Sequence, residues 1–92
     1  MRKIEINNLE KLLKALANKR RLGILRFLKK KKEANVNDIS EDIKLSFKST
    51  SKHLAILYAA DVVEKEQRSL EMYYRLSPQL HHIVKYISNS YE

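Results

Sequence analysis

Apolar side chains recur along the first third of the chain at the spacing of amphipathic helices. The first stripe follows an i, i+3, i+4, i+7, i+8 pattern and consists of Leu9, Leu12, Leu13, Leu16 and Ala17. Residues three and four apart share one face of a helix, so this spacing predicts a helix that begins near Leu9. A second stripe, built on Leu22, Leu25 and Leu28, predicts another helix over residues 19–31.

Two further helical patterns follow, each preceded by a residue type that caps helices. Asn35 precedes a short helix predicted over residues 36–44, and Ser46 precedes a fourth helix. Asn and Ser side chains accept hydrogen bonds from the free backbone N–H groups of a first helical turn. The inner face of the fourth helix is predicted to carry Thr50, Leu54 and Leu57.

After the fourth helix the pattern changes from helical to alternating. Residues 62–66 and 70–76 are rich in β-forming side chains, and Gln67, Arg68 and Ser69 separate them. Two such runs joined by a short polar loop predict a small hairpin with Arg68 at its tip.

Ser77 and Pro78 then match the cap and first position of a last helix, which is predicted to end near residue 90. The predicted fold is therefore mainly α with a small β-hairpin, a single domain over residues 1–92 in the order α-α-α-α-β-β-α.

The composition agrees with a mainly helical fold, and the length of the chain suggests association with further copies of itself. The 92 residues are 43% hydrophobic and include one Gly and one Pro, which leaves little material for a turn-rich β fold. A domain of this size buries only about two-thirds of its unfolded surface, so a homo-oligomer is expected.

The charge is strongly positive and unevenly distributed. Lys and Arg outnumber Asp and Glu by 19 to 11, which gives a net charge of +8 and favours a polyanionic partner such as nucleic acid or an anionic membrane. Residues 1–32 alone hold 12 basic and 2 acidic side chains. The run from Lys29 to Lys32 can be explained by its place at a helix end, although a direct contact with DNA stays open.

Several classes of protein are disfavoured. The chain has no Cys, hence no disulfide and no thiolate metal site, and it has no long apolar run, so a cytoplasmic chain without a membrane segment is expected. A glycine-rich phosphate loop, a nucleophile elbow and a tuned carboxylate pair are all missing from the sequence, which argues against an enzyme and against a bound cofactor.

The short join over residues 44–46 between the third and fourth helices has the form of a helix-turn-helix, and the hairpin that follows has the form of a wing. With the inner face fixed, the side chains predicted to meet duplex DNA are Phe47, Lys48, Ser49, Ser51, Lys52 and His53, with Arg68 of the wing. Lys and Ser suit base edges and phosphates, and an aromatic ring suits a thymine methyl group. Taken singly, each of these residues could equally be part of a solvated helix face.

Four segments, "LKALANKRRLGILRFL", "LSFKSTSKHLAIL", "ADVV" and "YYRL", resemble the winged-helix repressors of the ArsR (arsenic-repressor-like) family over about residues 9–80. The resemblance implies a homodimer built from the first and last helices, with paired recognition helices on an inverted repeat. The interface residues implied in this way are Leu9, Leu12, Leu13, Leu80, Ile83, Val84 and Ile87.

At several positions the chain departs from the family pattern, and some of these departures argue against a metal-sensing function. Where metal-sensing relatives have cysteines, this chain has Asn35 and Asn37, and adjacent His81 and His82 cannot readily chelate one ion, so no metal site is predicted. Asp61 stands where the family usually has a glycine, which predicts a positive φ there. No inducer is indicated.

The wing tip also departs from the family, because Ser69 and Leu70 stand where Gly and a basic residue are common. A less basic wing and the aromatic Phe47 keep an alternative open. In that alternative the domain contacts another protein, or binds nucleic acid without sequence specificity.

Overall fold

The computed structural model describes residues 3–92, which form five helices and three strands. In chain order these are α1 Ile6–Leu16, α2 Lys19–Lys31, β1 Glu33–Asn35, α3 Val36–Ile43, α4 Phe47–Ala59, β2 Val63–Arg68, β3 Glu71–Leu76 and α5 His82–Ser88. The predicted winged helix-turn-helix fold is confirmed, with one strand more than the sequence pattern predicted.

The helices begin where side chains can cap them. The side chain of Asn35 accepts a hydrogen bond from the Asp38 N–H at 2.8 Å, and that of Ser46 accepts one from the Ser49 N–H at 3.1 Å. Both predicted caps are therefore confirmed. The first helix begins at Ile6, earlier than predicted, because the Glu5 carboxylate caps it by accepting a hydrogen bond from the Asn8 N–H.

The additional strand, β1, lies between α2 and α3 and pairs with β3. The sheet has the order β1-β3-β2 with antiparallel neighbours, and Tyr74 of β3 lies between Ala34 and Lys65. The hairpin turn consists of Ser69 and Leu70, since Arg68 still pairs with Glu71. The prediction that Arg68 forms the hairpin tip is therefore wrong, because β2 continues to Arg68.

The last helix begins at His82, four residues after the predicted proline start. Ser77 and Pro78 instead belong to the connection that follows β3. The cap is His81, whose Nδ1 accepts a hydrogen bond from the Ile83 N–H at 3.2 Å. A Ser-Pro pair suits a turn as well as a helix start, and here it forms part of the connection.

The core joins every helix to the sheet. Its largest fully buried side chains are Ile24, Leu25, Leu28, Ile39, Thr50, Leu54, Leu57, Val62 and Val84. Leu12 is also buried within the single chain. Leu12 and Val84 keep almost none of their surface for a partner, and their place in a dimer interface stays a prediction.

Candidate nucleic-acid interface

The helix-turn-helix consists of α3, α4 and the three residues between them. Lys44 closes α3 in the left-handed backbone region, with φ 57° and ψ 49°, and its N–H donates to the Ser40 carbonyl. The Leu45 N–H donates to the same carbonyl at 3.1 Å. These bonds end α3 and turn the chain within three residues, so that α4 starts at Phe47 in a new direction.

The orientation of α4 follows from its inner face. Thr50, Leu54 and Leu57 are fully buried, which confirms the inner face predicted from the sequence. The opposite side presents Lys48 and Lys52 to solvent.

Phe47 in the first turn of α4 keeps 56% of its surface exposed, while Ser49, Ser51 and His53 are half-buried. The six residues of α4 predicted to meet DNA thus lie on or beside one accessible face. Their contact with DNA remains a prediction.

His53 is tied to α2. Its Nδ1 lies 3.1 Å from Nη1 of Arg21, whose Nε donates to the Ala15 carbonyl at 2.6 Å. Partial burial lowers the pKa of His53 below its ordinary value, and the positive charges of Arg21 and Arg20 lower this pKa further. An Nδ1 that accepts from Arg21 carries no proton, so the neutral ring fits this contact.

The arginines of the wing are held by carboxylates. Arg68 donates to Glu33 at 3.1 and 2.8 Å and to Glu66 at 3.2 Å, and its guanidinium lies 4.6 Å from the centre of the Tyr73 ring. The hydrogen bond to Glu33, followed by the one to Glu66, raises the pKa of Arg68. The charge of Arg68 is therefore offset before any nucleic acid approaches.

Arg75 completes this charge network. It donates to Glu64 at 2.5 Å and to Glu66 at 3.1 Å. Hydrogen bonds from Arg68 and then from Arg75 lower the pKa of Glu66. The turn of the wing presents an apolar side chain to solvent, because Leu70 is 96% exposed.

Sequence reasoning missed a group of cations beside the helix-turn-helix. Lys19, Arg20 and Arg26 of α2 line a groove of about 460 Å³ together with Lys44. The sequence shows these residues as basic, but their separation along the chain gave no signal that they meet.

Metal binding and membrane spanning each require a characteristic arrangement of side chains. Within residues 3–92, no three His, Asp or Glu side chains form a group that could hold a metal ion. The rings of His81 and His82 lie against each other, with centroids 4.1 Å apart. No helix in the described part of the chain has the length and apolar character required to cross a bilayer.

Together, the short turn before α4, its accessible outer face and the following hairpin define a winged helix-turn-helix protein. Residues 18–65 match the family model described as "Bacterial regulatory protein, arsR family". The chain belongs to this family, as its sequence resemblance predicted.

Known proteins agree with the assignment. The chain is 34% identical over 90 residues to the transcriptional repressor PagR of Bacillus anthracis, covering 94% of this chain and 90% of PagR. The structure of HlyU from Vibrio cholerae N16961 is similar with a TM-score of 0.80 and 31% identity, over 94% of each chain.

A third similar structure is fragment 1-100 of Mb0332 from Mycobacterium bovis, described as a homodimeric winged helix-turn-helix DNA-binding domain. It superimposes with a TM-score of 0.77 at 27% identity, covering 91% of this chain and 81% of that fragment.

Proposed function

We propose that this protein is a homodimeric transcriptional repressor that binds an inverted-repeat operator in double-stranded DNA. The observation that carries the proposal is the outer face of α4, where Lys48 and Lys52 are exposed opposite a fully buried inner face. The description of PagR as a transcriptional repressor supports the direction of regulation. Occupancy of a promoter by such a dimer blocks access of the polymerase.

The exposed chemistry of α4 suits the major groove. Lysine ammonium groups pair with guanine edges or phosphates, and the hydroxyls of Ser49 and Ser51 can donate or accept. Phe47 offers an apolar ring edge to a thymine methyl group. His53 has a smaller role, because its Nδ1 already faces Arg21.

An exposed apolar surface on α1 supports the homodimer. Ile6, Leu9 and Leu13 line a shallow depression, and Leu13 is 46% exposed although its neighbour Leu12 is buried. On α5, Tyr86 is 77% exposed. An apolar surface of this kind in a small domain is typical of a protein interface.

Four interface residues implied by the family resemblance, Leu9, Leu80, Ile83 and Ile87, are half-buried in the chain. They keep surface for a partner copy and remain part of the proposed interface. The description of Mb0332 as homodimeric supports the same assembly.

Duplex binding by matched variants tests the function. The wild-type protein is titrated at about 150 mM salt, a physiological screening condition, with a duplex from upstream of its own gene and with a scrambled duplex. We expect tighter binding to the first, and we expect Lys52→Glu to abolish it. Lys31→Glu makes the same charge change at an exposed site at the far end of α2 and should retain specificity. Equal binding of both duplexes by the wild type contradicts the proposal.

One observation favours a second function, in which the domain docks on another protein. Phe47 and Leu70 are both exposed and line a groove of about 220 Å³ with Met72, between α4 and the wing. Exposed apolar side chains beside a groove can anchor a protein partner. Capture of one specific protein that survives Lys48→Ala and Lys52→Ala, without duplex binding, would support this function over the first.

A further inference from the structure

The groove that was missed in the sequence lies between the start of α2 and the end of α3, and is called here the α2–α3 groove. Its charged side chains are those of Lys19, Arg20, Arg26 and Lys44, with one carboxylate from Asp42. Four cations against one anion make its surface attractive to a polyanion.

Two hydrogen bonds hold the walls of the α2–α3 groove in place. Arg20 Nη1 donates to the Ile43 carbonyl at 2.6 Å, which joins the first turn of α2 to the end of α3. The Tyr91 hydroxyl donates to the Leu22 carbonyl at 2.6 Å, which lays the C-terminal segment along the groove. A guanidinium has five N–H donors, so Arg20 retains donors for a ligand.

The cations of this groove differ from those of the wing. Within residues 3–92, every ion pair of Arg68 and Arg75 lies inside the charge network of the sheet, whereas Lys19, Arg20 and Lys44 take part in none. The α2–α3 groove therefore offers an incoming anion three cations without a carboxylate partner among the described residues, whereas both arginines of the wing are already paired.

One wall of the groove ends close to the start of α4, the helix that is proposed to read DNA. Lys44 precedes Phe47 by only three residues, so it lies next to the exposed first turn of α4. Arg21, adjacent to Arg20, approaches His53 on the side of α4. Lys and Arg side chains beside a base-reading helix are suited to contact the flanking phosphates.

We propose that the α2–α3 groove binds the phosphodiester backbone of the operator, with Lys19, Arg20 and Lys44 as phosphate contacts. This inference rests on the proposed function and identifies which residues of that interface supply its salt-dependent affinity. Phosphate contacts fix the register of the protein on the duplex without reading its sequence. Binding at the groove is therefore independent of sequence, and specificity remains with α4.

Two substitutions test the groove without disturbing its walls. Lys19→Gln removes one charge from the exposed first residue of α2. Lys44→Asn removes another and suits the left-handed backbone at that position, which Asn adopts more readily than Lys. Arg20 is left unchanged because it also bonds Ile43. Lys31→Gln is the matched control, since Lys31 ends α2 about 18 Å from Lys19 at 1.5 Å per residue.

The measurement is the affinity for operator and scrambled duplexes across a salt series. Each lost phosphate contact reduces the slope of log K against log salt by about 0.9, hence by about 1.8 in a homodimer that carries the substitution twice. Lys19→Gln and Lys44→Asn should each show this loss, weaken both duplexes by the same factor and melt like the wild type. Lys31→Gln should keep the wild-type slope.

The outcomes separate this inference from the proposed function. Wild-type binding that Lys52→Glu abolishes, with unchanged slopes for Lys19→Gln and Lys44→Asn, overturns the phosphate role of the groove and leaves the repressor intact. A wild type without specific binding overturns both. Binding of inorganic phosphate that Lys19→Gln removes, with an unchanged DNA slope, assigns the groove to small anions and also overturns the proposal.

Discussion

Arg68 at the end of β2 binds both carboxylate oxygens of Glu33 at the start of β1. These strands form the two edges of the sheet, so the ion pair spans the central strand β3, where the Tyr73 ring lies beneath the guanidinium. The two edge strands of the sheet are thereby joined by side chains as well as, through β3, by backbone hydrogen bonds. The charge of Arg68 is offset within the protein by carboxylates.

Releasing Arg68 should strengthen DNA binding. Arg68 is held by Glu33 and Glu66. Glu33→Gln removes the carboxylate that accepts two of the three hydrogen bonds donated by Arg68 within residues 3–92, which loosens the guanidinium so that it can reach a phosphate. We expect several-fold tighter binding to any duplex and a salt slope that is steeper by about 0.9 for each new phosphate contact. Fluorescence anisotropy across a salt series measures both effects.

Glu41→Gln is the control for this change, because Glu41 is an exposed acidic residue of α3 and its loss alters the net charge equally. Equal slopes for Glu33→Gln and Glu41→Gln would mean that Arg68 stays away from the DNA. The change would then act only through long-range attraction.

His53 should make folding sensitive to mild acid. Its pKa is lowered in the folded chain, so the unfolded chain binds the proton more readily. The stability due to neutral His53 is therefore present above its ordinary pKa of 6.5 and decreases as pH falls below that value.

Urea unfolding at about pH 7.5 and about pH 5.5, on either side of the ordinary histidine pKa, measures this dependence. The wild type should have a lower urea midpoint at the acid pH, and His53→Gln should lose part of this difference. If the variant and the wild type shift by the same amount, His53 is not the group responsible.

Thr50 should limit the stability of the helix-turn-helix. It is fully buried, and its hydroxyl has no hydrogen-bond partner among residues 3–92. Thr50→Val removes the unsatisfied hydroxyl while keeping the branched shape, so we expect unfolding to require about 1 kcal/mol more. DNA affinity should be unchanged, since Thr50 faces away from the reading face of α4.

Thr50→Ser provides the contrast, because it keeps the hydroxyl and removes a methyl group at a cost of about 0.8 kcal/mol. Chemical denaturation of the three proteins distinguishes the two effects. A Thr50→Val protein no more stable than the wild type would show that the hydroxyl carries no penalty.

The exposed side of α1 should control assembly. Leu13→Glu places a carboxylate in the proposed interface and should raise the dimer dissociation constant at least about tenfold, because burying an unpaired charge costs more than about 1.4 kcal/mol. Leu70→Glu makes the same change at the wing tip and should leave the dimer intact. Sedimentation equilibrium measures both, and equal effects would contradict an interface on α1.

The elements that the sequence predicted well are those with long apolar stripes and side-chain caps. Asn35 and Ser46 mark the starts of α3 and α4 because a cap acts within a few residues of its own position. The inner face of α4 was equally predictable from the sequence, because the spacing of Leu54 and Leu57 alone defines it. Asp61 has a φ of 60°, as its place at the family's usual glycine predicted.

The elements that were missed depend on contacts between distant parts of the chain. The strand β1 has three residues, of which only Ala34 is buried, and this is too short to produce an alternating pattern. The pairing of Arg68 with Glu33 joins residues 35 positions apart. The α2–α3 groove likewise brings Lys19 to Lys44 through the packing of α2 on α3, which periodicity within one element cannot predict.

The pairing of β1 with β3 links the wing to the helix-turn-helix. Asn35 both ends β1 and caps α3, so the hairpin and the helix-turn-helix are joined through one residue. This connection is expected to hold the recognition helix at one distance from the wing. If both elements of the proposed repressor meet the operator, one base pair inserted between their positions would turn the flank by about a tenth of a helical repeat. For the proposed repressor, we therefore expect the spacing within each half-site to affect affinity along with the bases it contains.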